Sequence, residues 1–213
     1  MRVKTEAKKK QITTAAQECF LGGGYNDCSM GRIAKRADVS KQTLYSYYAT
    51  KEALFVDVVM KVVRGALDLG FYVDQAVNNE DDFRGQLKAI ATALVEILMQ
   101  NDYLALLRIV IAEAPRQPIL VAEFRKHIPE QALQAFATML QNAQSKDLIK
   151  ISSPALTARM LLGGLITYVI LEGLLAGGDT MPSNVHKEVG EFVDEFLDNI
   201  SRARINVGRE DVS

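Results

Sequence analysis

The sequence predicts an all-α fold. Three observations carry that prediction: apolar residues recur at helical spacing through most segments, capping residues stand where those stripes begin, and no run alternates apolar with polar residues long enough to make a strand. At 213 residues and 48% hydrophobic content, the chain can bury a substantial core in one large domain or two smaller ones. The expected division is a small helical unit over residues 1–55, a larger one over 56–204 and a flexible polar tail over 205–213.

The first helix is expected over Lys4 to Leu21, with Ile12, Ala15, Ala16, Cys19 and Phe20 on one face and Gly22-Gly23-Gly24 as its stop. Ser29 can cap a short second helix whose apolar positions Met30, Ile33, Ala34 and Ala37 fall at i, i+3, i+4 and i+7. Asp38-Val39-Ser40 then breaks the pattern, with Val39 available to plug the angle and Ser40 to cap the next helix. That helix begins at Lys41. Leu44 and Tyr48 point inward from it, which leaves Lys41, Gln42, Thr43, Tyr45 and Tyr47 outside. Thr50 can cap a further helix with Leu54, Phe55 and Val58 buried, running on through Val56, Val59, Met60 and Val63 toward Leu69 and joining the two halves without a linker.

Asp81-Asp82 starts a helix with apolar positions Phe83, Leu87, Ile90, Leu94, Ile97 and Leu98. Tyr103 to Ala114 forms another, ended by Pro115 and Pro118; Ile119 to His127 is short, and Pro129 opens an amphipathic helix through Ala132 to Ala143. Ser153-Pro154 is a helix start by chemistry, and the segment through Met160 and Ile166 to Leu175 is apolar nearly all round. Such a helix is buried on every side or spans a membrane. Arg159, Tyr168, Glu172 and three glycines count against a span, since a mid-span acid costs about 2.5 to 3.5 kcal/mol on insertion scales. The last helix, about Ser183 to Ala203, shows a clean stripe of Val185, Val189, Phe192, Val193, Phe196, Leu197 and Ile200. Two successive helices with this much apolar surface imply a partner, and paired across a twofold axis they make a four-helix interface: a homodimer, with no membrane.

Net charge is only −1, yet residues 1–55 hold ten Lys or Arg against five acids, a balance of +5, which leaves −6 on the remainder. A basic head on an acidic body favours a polyanionic partner. An exposed helix start with a lysine, an amide, a hydroxyl and two phenols suits double-stranded DNA: lysine neutralises phosphate, hydroxyls donate to phosphate oxygens, and Gln42 can pair in two-point fashion with an adenine edge. The same residues also fit an ordinary solvated helix face. Lys8-Lys9-Lys10 divides equally between flanking phosphate and simple solvation. Enzyme chemistry has little support, because His127 and His186 are the only histidines, neither stands at metal spacing, and no nucleophile–base set or phosphate-cradling loop occurs. No catalytic residue, metal or cofactor is expected. Cys19 shares its helix's inward face, while Cys28 falls in a loop and is the candidate for redox chemistry. The charged amino end has no apolar run behind it, so the cytoplasm is the expected compartment.

The ordered run Gly24-Tyr25, Ser29-Met30, Ile33-Ala34, Ala37, Val39-Ser40, Thr43-Leu44-Tyr45, Tyr47-Tyr48, Lys51-Glu52, Leu54-Phe55 resembles the DNA-binding domain of the TetR family of transcriptional regulators. The resemblance implies a helix-turn-helix at about 29–48, a recognition helix carrying Lys41, Gln42, Thr43, Tyr45 and Tyr47, and Lys51 at a helix start touching phosphate. With Ser29 these are the candidate DNA-binding residues. One departure stands out: Asp38 occupies the turn where the family usually has glycine, and aspartate tolerates left-handed backbone better than most residues. Tyr48 replaces a more usual phenylalanine, which adds a hydroxyl needing water or a partner. Leu106 to Pro118, with Arg108, Ile111, Glu113-Ala114 and Arg116, also resembles the C-terminal domain of AefR-like members.

The function expected is therefore a dimeric repressor released from a palindromic operator by a small amphipathic effector. Apolar walls from Leu94, Leu98, Met139 and Ile166, with polar points from Tyr103, Arg108, Glu113 or Tyr168, would suit such a molecule. A ligand-independent or activating DNA binder is the alternative; a regulator switched through Cys28 and a helical enzyme stand further off.

Overall fold

A computed structural model describes residues 2–66, 77–176 and 182–207, with side chains described over 6–63, 77–176 and 182–200. Among them the elements are all helical: α1 (Arg2–Asp27), α2 (Met30–Arg36), α3 (Lys41–Tyr47), α4 (Lys51–Ala66), α5 (Glu80–Leu98), α6 (Asn101–Glu113), α7 (Pro118–His127), α8 (Pro129–Ser145), α9 (Pro154–Tyr168) with a π-helical continuation over Val169–Leu175, and α10 (Val185–Val207). They form two compact units. The first holds residues up to Ala66 together with Asn101–Pro129; the second holds the described residues from 77 to Gln100 and from Glu130 onward. The expected run of α4 to Leu69 lies partly outside the described residues.

In the first unit α1 packs on α2, α4 and α6, and α4 also meets α6 and α7. Its core is Ile12, Ala16, Phe20, Tyr25, Ile33, Leu44, Leu54, Phe55 and Val58, all buried, joined by Leu106 of α6 and Leu120 of α7. Phe20, Tyr25 and Phe55 pack as a triangle, with ring centroids 5.8 Å apart for Phe20–Tyr25, 5.0 Å for Phe20–Phe55 and 5.6 Å for Tyr25–Phe55. Two sequence expectations change here. Helix α1 does not stop at Leu21: Gly22 and Gly23 remain helical and the break falls at Gly24, at φ 75°. Phe20 and Tyr25 are pinned on either side of the two glycines, which outweighs the roughly 1 kcal/mol that each glycine costs inside a helix. The reversal at Gly24 also carries Cys28 back over α1. Cys28 is therefore not a reactive loop thiol: it is fully buried and disulfide-bonded to Cys19, with Cα atoms 5.7 Å apart.

In the second unit α5 and α10 pack along their length. Phe83, Leu87, Ile90 and Val95 of α5 and Val185, Val189, Val193 and Leu197 of α10 are all buried. Half-exposed ion pairs flank that seam, Arg84 to Asp194 (2.9 Å) and Asp198 (2.7 Å) and Lys88 to Asp194 (2.6 Å), each worth at most about 1 kcal/mol in such a setting. Ser153 caps α9 by accepting from the Leu156 N–H at 3.3 Å. Helix α9 is long and apolar enough to cross a membrane by length and composition, with mean hydropathy 1.6 through Leu175. It is not buried on every side, as the sequence had suggested. Leu161, Leu162, Leu165 and Val169 face the core, while Leu156, Met160, Ile166, Ile170, Leu171 and Leu175 remain exposed along the other side.

Candidate nucleic-acid interface

The interface begins with two serine caps. Ser29 Oγ accepts from the Arg32 N–H at 3.2 Å and starts α2; Ser40 Oγ accepts from the Thr43 N–H at 2.9 Å and starts α3, with the Ser40 and Thr43 hydroxyls 2.8 Å apart. Seven-residue helices are too short to hold themselves, so the caps and the buried Met30, Ile33, Ala34 and Leu44 fix them. Between them Asp38 takes φ 45°, so the turn keeps its left-handed residue without glycine. The Asp38 N–H reaches the Lys35 carbonyl at 3.3 Å and the Val39 N–H the Ala34 carbonyl at 3.0 Å, closing the end of α2.

With Leu44 inward, α3 leaves Lys41, Gln42, Tyr45 and Ser46 exposed and Thr43 and Tyr47 partly so; Tyr45 is 51% exposed. Tyr48, just past the helix, is buried, and its hydroxyl donates to the Asp57 carboxylate, which Lys9 also meets at 3.1 Å. Burial, then that bond, pushes the phenol far up. This is the partner that the extra hydroxyl needed.

Lys51 is turned inward. Its Nζ donates to the Tyr25 carbonyl at 2.9 Å and lies 3.9 Å from the centre of the Tyr25 ring; burial holds its pKa below the usual lysine value. Tyr25 in turn donates to Glu52 Oε1 at 2.7 Å. Burial works to raise the Glu52 carboxyl, but the Tyr25 hydroxyl, backbone and Thr50 bonds and Lys51 hold it below the usual range. Lys51 thus ties the start of α4 to the Gly24–Tyr25 elbow with one of the three N–H donors of its ammonium. Asn26 on the same elbow donates to Glu113 Oε1 at 2.6 Å and accepts from Gln117 at 3.4 Å, while Gln17 donates to Asp102 at 2.7 Å. Helix α6 is therefore hydrogen-bonded to α1 near both ends. Nothing in the spacing of Asn26, Gln17 and Asp102 signals these bonds, which depend on the two helices meeting in space.

The six candidate effector residues divide between the units. Leu98, Met139 and Tyr168 belong to the second; Tyr103, Arg108 and Glu113 belong to the first. Leu98 and Tyr103 are buried and Met139 half-buried. Burial pushes the Tyr103 phenol up to about 12, and burial with Glu188 nearby does the same for Tyr168. The Tyr168 hydroxyl and Glu113 Oε2 are buried without a hydrogen bond of good geometry among the described residues. An open groove between α1 and α2, lined by Lys10, Gln11, Thr14, Glu18 and Arg36, contains none of the six.

Two short helices joined by a tight turn, the second carrying an exposed polar face over a buried Leu44, define a helix-turn-helix DNA-binding protein. Residues 12–58 match the family described as "Bacterial regulatory proteins, tetR family", and residues 85–199 match "AefR-like transcriptional repressor, C-terminal domain". The chain belongs to the TetR family of transcriptional regulators. It is similar to the HTH-type transcriptional activator FasR of Mycolicibacterium smegmatis, 30% identical over 112 residues, which are 48% of this chain and half of FasR. The HTH-type transcriptional regulator UidR of Escherichia coli K12 is 22% identical over 190 residues, covering 78% of this chain and 97% of UidR. Among solved structures, a TetR-family regulator of Mesorhizobium loti superposes with TM-score 0.74 at 28% identity over 91% of this chain and 96% of its own. The flavonoid-responsive regulator FrrA gives 0.68 at 26% identity over 91% and 97%.

Proposed function

We propose that this DNA-binding transcriptional regulator is a dimeric repressor, released from a near-palindromic operator by a small amphipathic effector. The observation that carries the DNA half is the α3 face of Lys41, Gln42, Thr43, Tyr45 and Tyr47 held outward over Leu44. The dimer half rests on the exposed stripe Leu156, Met160, Ile166, Ile170, Leu171 and Leu175, which a second copy of α9 and α10 would cover as a four-helix interface. Two recognition helices then enter successive major grooves about 34 to 36 Å apart, and roughly eight phosphate contacts give a slope of log K against log salt near −7.

The sign of regulation follows the match of residues 85–199 to the AefR-like repressor domain. A second reading, activation, is favoured by the similarity to FasR, an activator. FrrA's response to flavonoids, planar amphipathic phenols, supports the effector class, with Leu98, Met139 and Tyr168 as contacts in the second unit. Near-complete switching needs the effector to prefer the released state by a factor on the order of ten thousand. On this reading the protein works in the cytoplasm without cofactor or metal.

The test is a reporter driven by the selected operator, with anisotropy of the same duplex in a flavonoid and acyl-chain series. Repression relieved by one compound that also lowers anisotropy supports the proposal. Reporter output that rises with the bound protein refutes repression, and a monomer by ultracentrifugation refutes the dimer.

A further inference from the structure

Gly31, the second residue of α2, has no left-handed backbone that would demand glycine, and a glycine inside a helix is unfavourable relative to alanine. What it supplies is space. A Cβ built there would stand 2.9 Å from Lys41 Cε, 3.3 Å from Lys41 Nζ and 3.9 Å from Ser29 Oγ. The first of these is closer than real Cβ contacts come, so any side chain at this position displaces the end of the Lys41 arm. The lysine that opens α3 thus folds back across the first turn of α2, with the end of its arm over Gly31. Lys41 is exposed.

We propose that Gly31 is a positioning residue for DNA binding: its missing side chain lets the Lys41 arm lie over the first turn of α2, which sets the ammonium against one backbone phosphate. The inference rests on Lys41 being a phosphate contact, as the proposed function has it. Gly31 itself touches no DNA. Its effect runs through Lys41, and that makes it separable from a structural role, because alanine at a helical glycine favours folding unless a neighbour cannot yield, and here the neighbour is the far end of a flexible chain.

The experiment measures affinity for the selected operator across a salt series for the wild type, Gly31→Ala, Lys41→Ala and the double variant, with the melting temperature of each. Lys41→Ala is expected to flatten the salt slope by about 1.8, or 0.9 for each subunit of the dimer, which is about thirtyfold in affinity at 0.15 M salt if binding at 1 M is unchanged. Gly31→Ala is expected to melt no lower than the wild type and to lose part of the same slope, and the double variant to equal Lys41→Ala. Wild-type affinity and slope in Gly31→Ala, or losses that add in the double variant, would overturn the positioning role while leaving Lys41 in place. No effect of Lys41→Ala would overturn the phosphate contact itself. Should Gly31→Ala fail to fold, a nuclear Overhauser effect between Gly31 Hα and Lys41 Hε in the wild-type protein supports the packed arm, and its absence rejects it.

Discussion

Gly164→Ala tests how closely α9 and α10 approach within the second unit. A Cβ at position 164 would stand 2.3 Å from Phe192 Cζ and 2.6 Å from Cε2, where carbon atoms prefer about 3.5 to 4.0 Å. The ring must therefore retreat by roughly 1 Å or more, and since Phe192 is only half-buried it can swing part of the way. Overpacking of this kind costs about 1 to 3 kcal/mol, and alanine returns about 1 kcal/mol of helix propensity. The net loss is about 0 to 2 kcal/mol, or up to roughly 8 °C in melting temperature for a chain of this size. The assay is thermal and urea unfolding followed by circular dichroism at one fixed protein concentration, because a dimer's midpoint moves with concentration. Phe192→Leu removes the ring, so a double-mutant cycle should show a coupling of about 1 kcal/mol or more, with Gly164→Ala stabilising in the leucine background. If Gly164→Ala raises stability equally in both backgrounds, the close approach does not exist and the packing of α9 on α10 described here is wrong.

Asp38, at φ 45°, sits where a side chain is tolerated at a cost. Asp38→Gly should leave the urea midpoint unchanged or slightly higher, whereas Asp38→Val should lower stability by about 1 to 2 kcal/mol. Ser40→Ala removes the cap on α3, with an expected loss of about 1 kcal/mol, and operator titration should show affinity falling while the oligomeric state by ultracentrifugation matches the wild type. Tyr103 couples stability to alkaline pH. Its folded pKa of about 12 lies above the usual 10, so its contribution is fully present below about pH 10 and is lost as pH rises through 12. That difference is on the order of 3 kcal/mol, and Tyr103→Phe should flatten the fall in stability between those pH values, measured by urea titration at each.

Local chemistry was legible because it acts over a few residues. The caps Ser29, Ser40 and Ser153 and the inward Leu44 and Tyr48 follow from spacing, and Asp38 takes the backbone its side chain allows. What sequence hid depends on where the chain returns. Three successive glycines do not say which one breaks the helix; the aromatic pair Phe20 and Tyr25 decides it, and Gly24 in turn decides that Cys28 meets Cys19. Lys51 reads as a surface cation at a helix start, and only the placement of the Tyr25 carbonyl shows its ammonium turned inward with one donor on that oxygen. Composition likewise marks α9 as apolar without distinguishing the side that the chain covers, at Leu161 and Leu165, from the side that it leaves open, at Met160 and Leu171.

The central claim is that the α3 face reads DNA as a pair. Its most direct test is selection from a random duplex pool across a salt series, with the wild type and Tyr45→Ala side by side. The wild type is expected to enrich one near-palindrome with a slope near −7, and Tyr45→Ala to lose that enrichment at an unchanged melting temperature, since the Tyr45 side chain is half-exposed. Equal enrichment by both proteins, or none by the wild type at low salt, would contradict it.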